Sequence, residues 1–377
     1  MRRFGEAPAI IAIRESLPWS LIGLVGGLLF FALSAPAEND SPLHEIARRY
    51  SAALLPGLGV MAIALGAILP VRLARRLGLP ALFAALVTLA GFALSPPAMP
   101  EKGVVAYFHA LGASGLFLAI VLGLVTCGAM TLARRIIRPE TLADAVAGAV
   151  VVGLCALSFL LHASLANAIA ALLHPLTFLG DTFSALVLIT LVETLLWTAG
   201  IHGPATLAAV VTPIYLVLQQ QNATAFSEHA ALPHIVTVST FLFVFPGGAG
   251  ATFPLMLMLA TSRVGRLRKV GRIGLVPAIF NINEPLIFGV PIVFNPFLSV
   301  PFVLAPAVLS GVTYAAMRLG LVDRPSAYIP SMVPSVIATY LATLDWRAVV
   351  LVGFNLLISA AIYLPFFRAF ERYEAAR

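Results

Sequence analysis

The chain has 377 residues, of which 60% are hydrophobic and only 10% are charged. A soluble domain carries about 25% charged residues, so this composition excludes an ordinary soluble protein and predicts an integral membrane protein with several spans. The net charge of +7 does not indicate nucleic-acid binding, because the basic residues fall in short segments between apolar runs, as membrane topology requires.

The first half of the chain contains long apolar runs, which favour spanning helices over a β-barrel, whose strands would alternate apolar and polar residues. Residues 1–14 form a basic amino-terminal segment. The first span is expected to begin before this segment ends. Residues 139–144 are expected to open an interfacial helix. Cys127 and Cys155 lie inside apolar runs and are interpreted as packing residues, with no disulfide framework. The next five predicted spans are residues 54–71, 79–94, 113–132, 146–161 and 183–199.

A first break at membrane depth is predicted at residues 200–204, where two glycines and a proline surround His202. Residues 205–218 are too short to span and are predicted to form half of a re-entrant hairpin, followed by a polar segment at 219–230. A further span is expected from Ile235 and includes the glycine-rich sequence of residues 246–252. It ends at the most basic stretch of the chain, residues 263–272.

A second break is predicted in the stretch Gly274–Pro306, which is almost wholly apolar yet carries Asn281, Asn283 and Glu284. One straight helix is excluded by six prolines, since each removes a backbone donor and crowds the preceding turn. Lipid cannot satisfy a broken backbone, so the stretch should line a cavity enclosed by protein. A carboxylate flanked by amides at such a break suits a midplane binding site in a transporter. The alternative is a proline-kinked helix with a buried, hydrogen-bonded glutamate.

The remaining predicted elements are a full span at residues 297–317, a re-entrant or interfacial segment at 333–344 and a last span at 349–367. If the amino terminus is cytoplasmic, most of the 23 basic residues fall in segments on the cytoplasmic side. This asymmetry predicts that both termini are cytoplasmic and that the chain crosses the membrane about ten times.

The sequence NINEPLIFGVPIVFNPFLSVPFVLAP at residues 281–306 resembles the signature of enzyme IIC, the membrane component of bacterial sugar phosphotransferase systems. The similarity is to the lactose, N,N'-diacetylchitobiose and cellobiose family, in which AIRESLPWSLIG, Gly180-Asp181, LLWTAGIHG and GGAGATF occur in the same order. The resemblance implies an all-α integral membrane protein like the chitobiose transporter, with about ten transmembrane helices and two re-entrant hairpins. It also implies an amino-terminal dimerisation half, residues 1–165, and a substrate-binding transport half, residues 166–377.

The resemblance implies that both predicted breaks carry catalytic and sugar-binding residues. Glu284 and His202 match residues that reach the sugar in this family, and a carboxylate can assist deprotonation of the hydroxyl that receives phosphate. Asn283 and Asn281 offer donors and acceptors to vicinal sugar hydroxyls. Alternatively, the two asparagines cap the broken helix ends.

Five further residues have open roles. Gly248 and Asn222 are candidate sugar-binding residues, although the loop of Gly248 serves close helix packing equally well. Asp181 either takes part in the site or caps the sixth helix. Trp197 either stacks on a pyranose ring or anchors the helix at the membrane interface. Glu193 stands where the family carries an apolar residue, and it either lines the cavity or pairs with a buried donor.

These features predict the sugar permease, enzyme IIC, of a phosphoenolpyruvate-dependent phosphotransferase system in the bacterial inner membrane. The resemblance implies a β-linked disaccharide substrate of the diacetylchitobiose, cellobiose or lactose class, and a homodimer. Neither cysteine lies in a soluble segment, so phosphate is expected from separate enzyme IIA and IIB proteins. The sequence has no Walker A loop, HExxH motif or paired-cysteine site, so no ATP, metal or other cofactor is expected. Two alternatives stay open: a non-phosphorylating facilitator or proton-coupled permease of the same fold, and a membrane sensor of sugar.

Overall fold

The computed structural model describes residues 7–34, 42–95, 107–108, 111, 114–161, 165, 168, 171, 179–290, 292 and 295–376. These residues form α-helices and one 3₁₀ turn, and no strand occurs among them. Two compact units divide the chain: Met1–Leu176 with Ala208–Gln220, and Thr177–Leu207 with Gln221–Arg377. The boundary predicted after residue 165 falls where only single residues are described, so the two functional halves stay a prediction.

The described part of the first unit contains α1 (Pro8–Ser34), α2 (Pro42–Leu77), α3 (Ala81–Ala93), α4 (Ser114–Ile136) and α5 (Glu140–Leu160). Helices α1 and α2 approach closely at Gly27 and Gly57: a Cβ added to Gly27 would lie 2.9 Å from the Cα of Gly57. Small residues allow such contacts between membrane helices.

The separate interfacial helix expected at residues 139–144 is wrong. Pro139 is the N-cap residue of α5, and the helix runs on from Glu140 without a break.

The second unit contains α6 (Phe183–Thr198), α8 (Phe241–Val244), α9 (Phe253–Ala260), α10 (Gly265–Ile279), α11 (Glu284–Gly289), α12 (Ser299–Arg318), α13 (Ser335–Thr343) and α14 (Arg347–Ala375). Helix α7 (Gly203–Ser227) contributes its residues 208–220 to the first unit. It continues past the expected end at Leu218. The polar residues after Leu218 include three glutamines, which are good helix formers, so polarity alone did not mark a loop.

Among the described residues, six segments are long and apolar enough to cross a membrane. They are Ile11–Ser34, Pro56–Leu77, Gly115–Ile136, Glu140–Leu160, Ser299–Arg318 and Arg347–Ala375. Two shorter apolar helices, Ala81–Ala93 and Phe183–Thr198, lie at the predicted third and sixth spans. These helices support a multi-pass membrane protein, and the full count of about ten spans stays a prediction.

The continuous span expected from Ile235 is wrong. A 3₁₀ turn at Val238–Thr240 and the short α8 are followed by an irregular segment, residues 245–252, before α9 begins. We call residues 246–252 the glycine-rich loop. Three of its glycines have positive φ angles, 85° at Gly247, 94° at Gly248 and 85° at Gly250. Glycine adopts this conformation readily, which a regular right-handed helix cannot use.

A hydrophobic core of the second unit surrounds α11. Leu286 and Ile287 of α11 are buried together with Leu255 of α9, Phe302 of α12 and Trp197 of α6. This cluster fixes the short helix that follows the second break, because close van der Waals packing holds helices together in a membrane.

Candidate functional site

The chain between α10 and α11 turns sharply directly before Glu284. The carbonyl of Pro277 accepts hydrogen bonds from the N–H groups of Phe280 and Ile282, which closes α10. Asn281 has a φ of 60°, a conformation in which Asn is enriched over other non-glycine residues. Helix α11 then begins at Glu284, with a proline in its first turn, where the missing N–H has no helical partner to lose. The structure thus breaks the helix where the sequence predicts it.

The side chain of Asn281 joins the break to two other segments. Its Oδ1 accepts hydrogen bonds from the Gly247 N–H and the Ser335 hydroxyl, both at 2.8 Å. Its Nδ2 donates to the carbonyls of Ser331 at 2.7 Å and Val333 at 3.0 Å. These four bonds use both donors and both lone pairs of the amide. Asn281 therefore holds the backbone together, and its predicted contact with a sugar requires giving up one of these bonds.

The cavity beside Asn281 is small. It has a volume of about 90 Å³ and is lined by residues of the glycine-rich loop, α10, α13 and α14. Pockets for drug-sized ligands have volumes of about 300–1,000 Å³. This cavity therefore does not accommodate a disaccharide.

Asn283 binds the glycine-rich loop from the other end of the break. Its Nδ2 donates to the carbonyl of Ala249 at 2.5 Å and to the Thr252 hydroxyl oxygen at 3.0 Å. Gly248 lies against it, so that an added Cβ would be 2.7 Å from the Asn283 Cγ. Asn283 occupies the N-cap position of α11, but its side chain makes no capping bond. The close packing of Gly248 is thus observed, whereas sugar contacts of Gly248 and Asn283 stay predictions.

Helix α14 holds the opposite side of the glycine-rich loop. The Ser359 hydroxyl donates to the carbonyl of Ala251, and the Tyr363 hydroxyl donates to the carbonyl of Gly250, both at 2.8 Å. Buried backbone carbonyls need such partners in a membrane, where water does not reach them. The loop is therefore fixed between α14 and the two asparagines of the break.

Glu284 differs from its two polar neighbours. Its side chain is partly buried, and it forms no hydrogen bond or ion pair with any residue that the structure describes. The alternative of a buried glutamate hydrogen-bonded within a kinked helix is therefore wrong. The break presents a carboxylate whose acceptor sites remain available to a ligand.

His202 lies at the break between α6 and α7, with its ring centroid 4.3 Å from that of Trp197. Trp197 is only 5% exposed, which contradicts the interpretation as an interfacial anchor. Its indole N–H is buried, and no described residue accepts a hydrogen bond from it. Trp197 belongs to the same hydrophobic core as Leu286 and Ile287. The residues beside His202 and those beside Glu284 are therefore packed into one core.

No sequence feature indicates that the indole N–H of Trp197 lacks an acceptor among the described residues, because a missing hydrogen-bond partner is visible only once the surrounding chain is placed. The close approach of α6 and α7 was equally hidden. A Cβ added to Gly203 would lie 2.1 Å from the Glu193 carbonyl oxygen. The Glu193 carboxylate forms no hydrogen bond or ion pair with any described residue, so the pairing alternative is not observed.

Asn222 lies at the end of α7 that belongs to the second unit, and its amide binds backbone groups. Its Nδ2 donates to the carbonyls of His234 and Pro325, both at 2.8 Å, and its Oδ1 accepts the His234 N–H at 2.9 Å. The side chain is fully buried. These bonds tie two loops to α7, and the predicted sugar contact of Asn222 stays a prediction.

Asp181 does not cap the sixth helix. Thr182 is the N-cap residue of α6 and accepts a hydrogen bond from the Ala185 N–H. Asp181 instead accepts hydrogen bonds from the N–H groups of Ile235 at 3.0 Å and Val236 at 2.7 Å. The carboxylate one residue before the N-cap thus stabilises the segment that leads to the 3₁₀ turn.

Comparison with known proteins gives a consistent result. The family model described as "Phosphotransferase system, EIIC" matches residues 19–306. The cellobiose-specific EIIC component of Geobacillus stearothermophilus is 34% identical, over 99% of this chain and 92% of its own length. The lichenan permease IIC component of Bacillus subtilis (strain 168) is 33% identical, over 80% of this chain and 74% of its own.

A solved structure shares the fold over nearly the whole chain. It is the crystal structure of the transporter ChbC, the IIC component from the N,N'-diacetylchitobiose-specific phosphotransferase system. The TM-score is 0.83 at 29% sequence identity, and the match covers 99% of this chain and 95% of the other.

Proposed function

Since the chain belongs to the EIIC family of the phosphotransferase system, we propose that it carries a β-linked disaccharide across the membrane and presents it for phosphorylation. Similar proteins are named for cellobiose, lichenan, oligo-beta-mannoside and N,N'-diacetylchitobiose. These names support a β-linked sugar of the diacetylchitobiose, cellobiose or lactose class. Family membership also favours phosphorylation-coupled transport over a facilitator, a proton-coupled permease or a sensor.

The unpaired carboxylate of Glu284 is the observation that carries this proposal. An ionisable group within a membrane protein is unfavourable unless it has partners, and sugar hydroxyls would supply two donors to this carboxylate. The indole N–H of Trp197 provides a donor for which no described residue is an acceptor, and His202 lies against the same indole ring. We assign sugar binding to these three side chains, with Asn281 and Asn283 holding the break in shape.

The proposed reaction transfers a phosphoryl group from a cysteine of enzyme IIB to a hydroxyl of the bound sugar. The bond between phosphorus and the sugar oxygen forms as the bond between phosphorus and sulfur breaks, and the cysteine leaves as a thiolate. Glu284 accepts the hydroxyl proton, which makes the oxygen a better nucleophile. Enzyme IIA would recharge enzyme IIB for the next cycle.

Enzyme IIB is proposed to dock at the basic end of α10. Every basic side chain in the segment 263–272 is exposed, which gives a cationic surface at the start of the helix that leads to the second break: Arg263, Arg266, Arg268, Lys269 and Arg272. A phosphorylated partner would be attracted to such a surface. The proposal therefore includes a cytoplasmic position for this segment and for both termini, at the bacterial inner membrane. The remaining parts of the proposal are about ten spans with two re-entrant hairpins, and a homodimer built on residues 1–165.

Proteoliposomes loaded with phosphorylated enzyme IIB test the proposal against its alternative. With external radiolabelled cellobiose, diacetylchitobiose or lactose, we expect sugar phosphate to accumulate inside only when phosphorylated enzyme IIB is present. Free sugar that equilibrates at the same rate without enzyme IIB would identify a facilitator instead. Matched liposomes with unphosphorylated enzyme IIB control for binding of the partner alone.

A further inference from the structure

A groove in the first unit combines a positively charged end with an apolar end. It has a volume of about 680 Å³ and is lined by Glu15 of α1 and by residues on one face of α2. The α2 residues are Ala67, Ile68, Val71, Arg72, Arg75 and Arg76. They repeat at intervals of four, so they form two adjacent rows along the helix. The groove is outside the second unit, which carries the proposed sugar site.

The two rows change character along α2. The apolar residues come first, and the arginines follow near the end of the membrane-spanning segment Pro56–Leu77. At 1.5 Å per residue, the distance from Ala67 to Arg76 is about 14 Å. The arginine end therefore lies where a spanning helix leaves the hydrocarbon, and the apolar end lies within it.

Trp19 of α1 marks the same boundary. Its side chain is 56% exposed, and the guanidinium carbon of Arg72 lies 6.0 Å from its ring centroid. Exposed Trp is enriched at the interface between membrane and water, which supports this placement of the arginines.

The positive charge of the groove is only partly neutralised. Glu15 forms ion pairs with Arg76 at 2.6 Å and with Arg72 at 3.4 Å. Arg75 is exposed, and no described residue pairs with it. Three arginines against one glutamate leave two net positive charges among the groove's side chains. An anion is the ligand that such a surface attracts.

We propose that this groove binds an anionic phospholipid. The headgroup phosphate would contact Arg72, Arg75 and Arg76, and an acyl chain would lie along Ala67, Ile68 and Val71. Basic pockets between transmembrane helices on the cytoplasmic side bind such head groups. A free phosphate ion would contact only the arginines and would leave Ala67, Ile68 and Val71 uncovered. A phospholipid would cover both parts of the groove, which favours a lipid as the source of the phosphate.

A simpler role for the arginines is to stabilise the carboxyl end of α2, where the helix dipole favours cations. Arg134 and Arg135 occupy the same place in the last turn of α4, without forming part of this groove. Arg135 is exposed, and no described residue pairs with it. Arg135→Gln is therefore a matched control for Arg75→Gln.

Native mass spectrometry of the full chain in detergent tests this site, with phosphatidylglycerol, zwitterionic phosphatidylethanolamine and inorganic phosphate as separate ligands. We expect phosphatidylglycerol to bind more tightly than phosphatidylethanolamine, and Arg75→Gln to weaken it about fivefold. Glu15→Gln should strengthen phosphatidylglycerol binding by a similar factor, because it removes the one negative charge among the described lining residues. A misfolded variant would not gain affinity.

Three results would overturn the proposal. The first is equal binding of phosphatidylglycerol and phosphatidylethanolamine. The second is equal loss of phosphatidylglycerol binding in Arg75→Gln and Arg135→Gln. The third is inorganic phosphate binding that Arg75→Gln weakens, together with phosphatidylglycerol binding that Arg75→Gln leaves unchanged. This result would assign the arginines to a soluble anion.

Discussion

The polar residues of the second break have different tasks, although they lie within four positions of one another. Asn281 makes four hydrogen bonds, each to a segment outside the break and its two flanking helices. Asn283 makes two bonds to the glycine-rich loop. Glu284 makes none with any described residue. The amides thus shape the site, and the carboxylate remains for a ligand.

Asn283→Asp tests the structural task of the amide. The substitution replaces a donor by a carboxylate facing the carbonyl of Ala249, and an unpaired buried acceptor of this kind costs about 1–3 kcal/mol or more. We expect a lower unfolding temperature in detergent, measured by the change in intrinsic fluorescence. A variant with the stability of the wild type but weaker sugar binding would instead make Asn283 a sugar ligand.

The place of the break and its polar residues could be predicted from the sequence, because amides and a carboxylate are conspicuous in an apolar, proline-rich stretch. Their partners could not be predicted. The bonds of Asn281 reach Gly247 and Ser335, which lie 34 and 54 positions away along the chain. These long-range contacts decide which side chain of the break has no partner among the described residues. The same holds for the buried N–H of Trp197.

At the scale of elements, the junction of α6 and α7 depends on a single missing side chain. A Cβ at Gly203 would lie 2.1 Å from the backbone oxygen of Glu193, and backbone atoms cannot move aside as a flexible side chain does. Without this contact, His202 would not be held in the same position against Trp197.

Gly203→Ala should therefore reduce both stability and sugar binding. We expect a loss of about 1–3 kcal/mol, as for other overpacked positions, seen as a lower unfolding temperature and a higher Kd for the sugar. The matched control is Gly353→Ala in α14, where an added Cβ meets no atom within 4 Å and alanine favours the helix. Equal effects of the two substitutions would contradict the close approach of α6 and α7.

Asp345 stabilises the link between α13 and α14, outside the spanning segments. It accepts hydrogen bonds from the backbone N–H groups of Asp323 at 3.0 Å and Arg347 at 2.9 Å, and from the Arg347 Nε at 2.9 Å. Burial alone would raise the pKa of Asp345. The hydrogen bonds and the charge of Arg347 outweigh this effect and hold the pKa below its ordinary value of 3.8.

A carboxylate with a lowered pKa contributes stability that is complete well above its unfolded pKa and is lost as the pH falls through its folded pKa. We therefore expect Asp345→Asn to be less stable than the wild type at about pH 7, and the difference to shrink below about pH 4. Thermal unfolding of both proteins across this range measures the difference. A gap that stays constant with pH would show that Asp345 acts without its charge.

The spans with basic ends were predictable, because long apolar runs and arginine-rich borders are local features of the sequence. The segment from Ile235 to Ala260 was not predictable as a broken element. Its residues are apolar enough for a span, and the interruption depends on hydrogen bonds from Ser359, Tyr363 and Asn281 to the glycine-rich loop. Tertiary contacts of this kind override local preference.

At the scale of the whole molecule, the two units carry separate proposals. The second unit contains the break, the indole and the histidine assigned to the sugar. The first unit contains the arginine groove assigned to an anionic lipid. The lipid proposal holds whichever sugar is carried, so failure of one assignment leaves the other standing.

Phosphorylation of sugar by proteoliposomes carrying Glu284→Gln tests the central claim, which is that the carboxylate of Glu284 acts on the sugar. Loss of a positioned base lowers rates by about 10²–10⁴-fold, so we expect at least a hundredfold slower formation of sugar phosphate from phosphorylated enzyme IIB, with an unchanged unfolding temperature. Glu228→Gln removes an exposed carboxylate beyond the end of α7 and should keep the wild-type rate. A wild-type rate in Glu284→Gln would contradict the account.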